Sequence, residues 1–160
     1  MSDKEHLEAL GAAAGSWAEA NFPKSLTGKT MGMEGESDPQ VAADLALWRD
    51  RLAEKGWGAP TWPKEYGGAG LSHPEAKVVA RAMAKVGAFN PIPVMAGMGV
   101  TMVGPTILEY GTQQQKDKHL PGIASGKIRW CLGLSEPNAG SDLASPVSYT
   151  HLTLPTKRIV

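Results

Sequence analysis

Arg129-Trp130-Cys131-Leu132-Gly133-Leu134-Ser135-Glu136-Pro137-Asn138-Ala139-Gly140-Ser141-Asp142-Leu143-Ala144-Ser145 changes character halfway along. Trp130 to Leu134 is an apolar run of strand length. The remainder is a loop of Ser, Glu, Pro, Asn, Gly and Asp. Such a loop exposes backbone N–H groups beside hydroxyls, the combination that holds phosphates and other anions. By itself, a strand that breaks into a polar turn is a common and weak signal.

Upstream, the sequence reads as helices. Thr112-Gln113-Gln114-Gln115 is a capping box, followed by a polar face at Gln115, Lys116 and Lys118. Pro105 can open a short helix that ends at Gly111. Pro91 to Leu108 carries no charged residue and approaches bilayer length. Pro91, Pro93, Pro105, Gly97, Gly99 and Gly104 interrupt it, so a buried, bent segment is expected rather than a membrane span. Met95, Met98 and Met102 share a face if this part is helical. That face is either ordinary core or the wall of an apolar pocket.

Ser72-His73-Pro74-Glu75 is a second capping box, and its helix places Val79, Ala82, Met83 and Val86 together. Gly87-Ala88-Phe89-Asn90-Pro91 stops it. Between Gly56 and Gly70, Trp57, Trp62 and Tyr66 stand among Gly and Pro. They either plug the ends of the helices or form an aromatic platform for a ligand. Asp38-Pro39 starts a helix with Val41, Leu45, Trp48 and Leu52 on its core face. Residues 24–37 have no period and read as a loop. Leu7, Leu10, Ala14 and Trp17 mark a first amphipathic helix ending near Asn21-Phe22-Pro23.

The totals narrow the function. Sixteen basic residues balance sixteen acidic ones among 160, which leaves no field to attract nucleic acid or anionic membranes. Cys131, the single cysteine, excludes an internal disulfide and fits a reducing, cytoplasmic setting. The four histidines show no metal-ligand spacing. No apolar leader stands at residues 1–10.

The order of residues adds more. Gly133-Leu134-Ser135-Glu136-x-x-Ala139-Gly140-Ser141-Asp142-x-x-Ser145 resembles the signature of the acyl-CoA dehydrogenases. So does Gly56-Trp57-x-x-Pro60-x-Trp62-Pro63-x-Glu65-Tyr66-Gly67-Gly68-x-Gly70, which precedes it in that family's order. Gly111-Thr112-x-x-Gln115-Lys116 and Leu120-Pro121-x-Ile123-x-x-Gly126 are similar to the same family. The resemblance implies a mainly α fold: an N-terminal all-helical domain over residues 1–127, then the first strand and flavin-contacting loop of an incomplete middle β-domain over residues 128–145. It implies an oxidoreductase of lipid catabolism that removes an α-proton and a β-hydride from an acyl-CoA, with FAD taking the hydride. It also implies electron-transfer flavoprotein as electron acceptor and a homo-oligomer.

By the resemblance, Leu132, Gly133, Leu134, Ser135, Gly140 and Ser141 contact FAD, and Ser141 also touches the acyl-CoA. Many members have Thr where Ser135 stands, and either offers a hydroxyl. Asn138 stands where Gly is frequent. No residue is assigned as catalytic base, because the family takes the proton with a glutamate of its C-terminal helical domain. Glu136 and Asp142 are expected to serve loop structure, and Cys131 to be a small strand residue. A flavin-dependent acyl-CoA oxidase or monooxygenase on the same scaffold is an alternative, as is a helical binding module without chemistry.

The resemblance covers residues 5–145. Beyond Ser145, Val147 to Thr156 can be read from a transposon-end sequencing adapter. Residues 146–160 are therefore expected to be non-native, the native frame to continue past Ser145, and the 160-residue chain by itself to be inactive.

Overall fold

A computed structural model of the chain describes residues 2–29, 38–133 and 135. The chain divides into two compact units, Met1–Trp130 and Cys131–Val160. Among the described residues of the first, every regular element is helical. Its helices are α1 (Asp3–Asn21), α2 (Pro39–Glu54), α3 (His73–Lys85), α4 (Ile92–Met95), α5 (Gly104–Tyr110) and α6 (Gln113–Ala124). Short 3-10 turns at Lys24–Leu26 and Lys64–Tyr66 interrupt the connections, and a π-helical turn at Gly99–Val103 joins α4 to α5.

The caps fall where local chemistry demands them. At α3, the Ser72 hydroxyl accepts from the Glu75 N–H at 3.4 Å, and the Glu75 carboxylate accepts from the Ser72 N–H at 2.8 Å. Thr112 and Gln115 repeat this exchange at α6. At α2, the Asp38 carboxylate accepts from Gln40 and Val41 N–H, with Pro39 in the first turn. A further capping box, of Ser2 and Glu5, starts α1. Such caps contribute about 0.5–2 kcal/mol each.

α1 packs against α3 through small side chains. Its fully buried residues are Ala14 and Ala18, with Leu10 and Trp17 partly buried. Leu7, expected on the core face, instead lines the edge of a groove between the two helices. Gly11 and Gly15 face Val78 and Ala82 of α3, and this close approach turns the buried face towards the alanines. His6 of α1 lies 2.7 Å from the Glu75 carboxylate. The Ser72 hydroxyl, and then His6, hold the Glu75 carboxyl down to about 2.

A first core gathers between α1, α2 and α3. Trp48 is fully buried and donates its indole N–H to the Phe89 carbonyl at 2.7 Å. Trp17 stands 5.5 Å from Trp48 and 5.0 Å from Trp57, and Phe22 meets Trp48 at 5.1 Å. Such tilted and edge-on pairs add about 0.5–1.5 kcal/mol each beyond the area they bury. A second core joins Trp62, Tyr66 and Ala96 to Leu120, Ile123 and Ala124. The aromatics of the Gly56–Gly70 loop thus close the helix ends, with Trp62 and Tyr66 buried and Trp57 packed against the first core.

The described residues form no strand. The run expected as a strand over Trp130–Leu134 is reduced to one parallel bridge, between Gly97 and Trp130. A strand needs a neighbour of comparable length to fill its ladder. Gly97 offers a single residue, held at φ +60° in a turn between α4 and the π-helical turn. Leu134, part of the expected strand, lies outside the described residues.

Candidate functional site

The uncharged stretch from Pro91 to Leu108 is bent as expected, but it is open on one side. Ile92, Ala96, Gly99 and Gly104 face inward and are buried. Val94, Met98 and Met102, four residues apart, are 52 %, 40 % and 46 % exposed. Met95 is half-buried, because α4 ends there and the next residues belong to turns. The exposed large apolar side chains of this segment are therefore Val94, Met98 and Met102, where the sequence pointed to Met95, Met98 and Met102. Tyr110, at the end of α5, is 77 % exposed.

The shape of this face follows from a few residues. Pro105 has no N–H, so the turn before it cannot close in the usual way. The Gly104 N–H instead reaches back five residues to the Gly99 carbonyl. A Cβ on Gly104 would overlap the Trp62 ring, so only glycine lets the wide turn settle on that indole. Thr106 then donates its hydroxyl to the Met102 carbonyl at 2.9 Å. π-Helical turns of this kind occur often at functional sites.

Trp130 fastens the other end. Its N–H donates to the Ala96 carbonyl at 2.9 Å, and its carbonyl accepts from the Met98 N–H at 3.1 Å. Its ring meets His119 of α6 edge-on at 5.5 Å. Its indole Nε1 is buried without an acceptor among the described residues.

The residues singled out for FAD begin immediately afterwards. Leu132 is 49 % exposed, and Gly133 and Ser135 are also exposed. A Cβ built on Gly133 would meet nothing within 4 Å among the described residues. Leu134, Gly140 and Ser141 lie outside the described residues, as do Glu136 and Asp142. Cys131 is exposed and free.

Other features carry less. A groove of about 1020 Å³ between α1 and α3 has a floor of small and aliphatic residues and a rim including Lys4, Glu8, Arg81 and Lys85. None of the residues singled out for flavin or acyl-CoA lines it. No group of three metal-ligating side chains occurs among the described residues. No helix among them is long and apolar enough to cross a membrane.

Comparison with known proteins agrees with this geometry. The domain described as "Acyl-CoA dehydrogenase, N-terminal domain" matches residues 8–127. Acyl-CoA dehydrogenase FadE26 of Mycobacterium tuberculosis is 41% identical over 102 residues, covering 62% of this chain and 24% of that protein. Acyl-CoA dehydrogenase IpdE1 of the same organism is 32% identical over 152 residues, covering 92% of this chain and 38% of that protein. The chain thus spans well under half the length of these relatives. Among solved structures, a variant of the Tcur3481–Tcur3483 steroid ACAD aligns with TM-score 0.62 at 33% identity, over 90% of this chain and 35% of that one. The ChsE4–ChsE5 complex of Mycobacterium tuberculosis aligns with TM-score 0.58 at 32% identity, over 91% of this chain and 34% of that one. With a match to the N-terminal domain across most of its length, and with relatives named for one activity, the chain belongs to the acyl-CoA dehydrogenase family.

Proposed function

We propose that this chain supplies the N-terminal part of an FAD-dependent acyl-CoA dehydrogenase, and that the face of Val94, Met98 and Met102 is the wall against which the acyl group lies. The exposed apolar face carries the reading. Exposed apolar side chains, where they form a contiguous patch, commonly mark a ligand or interaction site. Methionine suits an apolar ligand because it adapts its shape at little cost. The Tcur3481–Tcur3483 relative, named a steroid ACAD in both its variant and its parent form, supports a bulky acyl group.

Leu132, Gly133, Leu134, Ser135, Gly140 and Ser141 would hold FAD, with Ser141 also touching the acyl-CoA. The exposed Gly133 and Ser135 fit that role. Bound FAD supplies the hydride acceptor for α,β-dehydrogenation. The chain's own residues orient and shield: the methionines exclude water from the acyl group, and the Ser135 hydroxyl offers a hydrogen bond to the flavin. The base that takes the α-proton belongs to the C-terminal helical domain of the full-length protein, beyond a middle β-domain whose first strand starts near Trp130. Electron-transfer flavoprotein is the proposed electron acceptor, and a homo-oligomer the proposed assembly.

The test is spectroscopic. The full-length protein, loaded with FAD, is titrated under anaerobic conditions with butyryl-, octanoyl-, palmitoyl- and steroid-side-chain CoA thioesters. Loss of the oxidised flavin absorbance with at least one of them is expected. An oxidised spectrum unchanged by all of them rejects the dehydrogenase. The 160-residue chain alone is expected to show no turnover.

A further inference from the structure

We propose that Trp130 is a positioning residue for acyl recognition: it acts through Met98 and the Gly99 turn to hold the apolar face in its receptive shape. The inference rests on the acyl-binding reading of that face.

Three observations converge on Trp130. Its backbone grips both sides of Gly97, taking the Met98 N–H at 3.1 Å and giving its own N–H to Ala96 at 2.9 Å. Gly97 holds φ +60°, and a Cβ there would collide with the Trp130 carbonyl, so the grip needs glycine. The Trp130 ring lies over Gly99, where a Cβ would come within 3.2 Å of the indole Cδ1. Met98, between these two glycines, is bound to Trp130 by its backbone and is free to face outward with its side chain.

The indole itself needs explaining. Its Nε1 is buried and unpartnered among the described residues, and folded proteins rarely leave such a donor unpaired. The ring packs edge-on to His119 and against Gly99, which Ile123 of α6 also meets, so the indole and Ile123 together seat the π-helical turn on α6. On the acyl-binding reading, Trp130 acts by fixing the place of Met98, the side chain that meets the acyl group.

If a large acyl group reaches Met98 and Met102 and a short one does not, the effect depends on acyl size. The experiment uses the full-length, FAD-loaded protein and the same CoA thioesters, comparing the largest and smallest substrates that the wild type accepts. Trp130→Ala is expected to raise KM for the largest about tenfold and for the smallest less than about threefold, with kcat for both within about threefold. Gly97→Ala, which leaves the indole in place but collides with its carbonyl, should give the same pattern. Trp130→Phe should restore most of the loss. Circular dichroism accompanies each variant. If Trp130→Ala loses its helical signal, Trp130→Leu replaces it in the same comparison with Trp130→Phe. Equal changes for large and small substrates, or none, in a folded and flavin-loaded variant overturn the proposal while leaving the dehydrogenase intact. A wild type that no acyl-CoA reduces overturns the acyl-binding reading and this inference with it.

Discussion

The two cores of the helical unit are built from similar materials and finished differently. Around Trp48, aromatic rings from α1, α2 and the α3–α4 connection close over one another. Around Ile123, Trp62 and Leu120 are equally buried, but the segment laid over them turns Val94, Met98 and Met102 outward. The first region packs its apolar side chains on one another; the second leaves some exposed, for a ligand on the reading proposed above. Mutation should separate the regions accordingly. Changes around Trp48 should lower stability, and changes on the outer face of α4 and the π-helical turn should alter binding.

The largest effect is expected at Trp48. Trp48→Ala removes a fully buried indole and leaves the Phe89 carbonyl without its donor. It should cost about 3–5 kcal/mol in urea unfolding, enough to unfold a marginal domain. A loss under about 1 kcal/mol would mean that this core is not closed. Next comes Gly104→Ala, whose methyl would overlap the Trp62 ring. A cost of about 1–3 kcal/mol is expected, with the helical signal retained. If Gly104→Ala melts like the wild type, the wide turn does not depend on that contact.

A smaller effect belongs to α1 and α3. The Glu75 carboxyl lies near 2 instead of 4.5, held down by Ser72 and His6. A carboxyl depressed by folding stabilises the fold above its unfolded value and loses that contribution as acid protonates it. Stability should therefore fall between pH 4.5 and about 2, and Glu75→Gln should flatten that part of the profile. An unchanged profile would place the acid sensitivity elsewhere. Smallest for stability, and most telling for function, are Met98→Ser and Met102→Ser. Both side chains are exposed, so unfolding should shift by no more than about 0.5 kcal/mol. KM for the largest accepted acyl-CoA should nevertheless rise.

Features with local causes are legible in the sequence. Ser72 with Glu75, Thr112 with Gln115 and Asp38 with Pro39 mark helix starts because each cap closes within four residues. The period of Val41, Trp48 and Leu52 places the α2 core face correctly for the same reason. What depends on distant contacts is hidden. The π-helical turn needs Trp62 beneath Gly104, far away in the chain. An absence of charge fits core and pocket alike, so the sequence does not say which way Met98 and Met102 face. Leu7 gives way to Ala18 because Gly11 and Gly15 let α1 approach α3 closely, and that geometry is set by the partner helix. The strand from Trp130 is not seen among the described residues: its apolar run is a strand signal, but the partner it meets there is one glycine.

The central claim is that the open face meets the acyl group. It is tested by placing charge there without disturbing the core. The full-length protein carrying Met98→Glu and Met102→Glu together is loaded with FAD and titrated anaerobically with the acyl-CoA that best bleaches the wild type. A retained oxidised flavin spectrum and at least about a hundredfold weaker response to that acyl-CoA are expected, since a carboxylate against an apolar chain stays hydrated only by keeping the chain away. Bleaching at the wild-type concentration of acyl-CoA would contradict it.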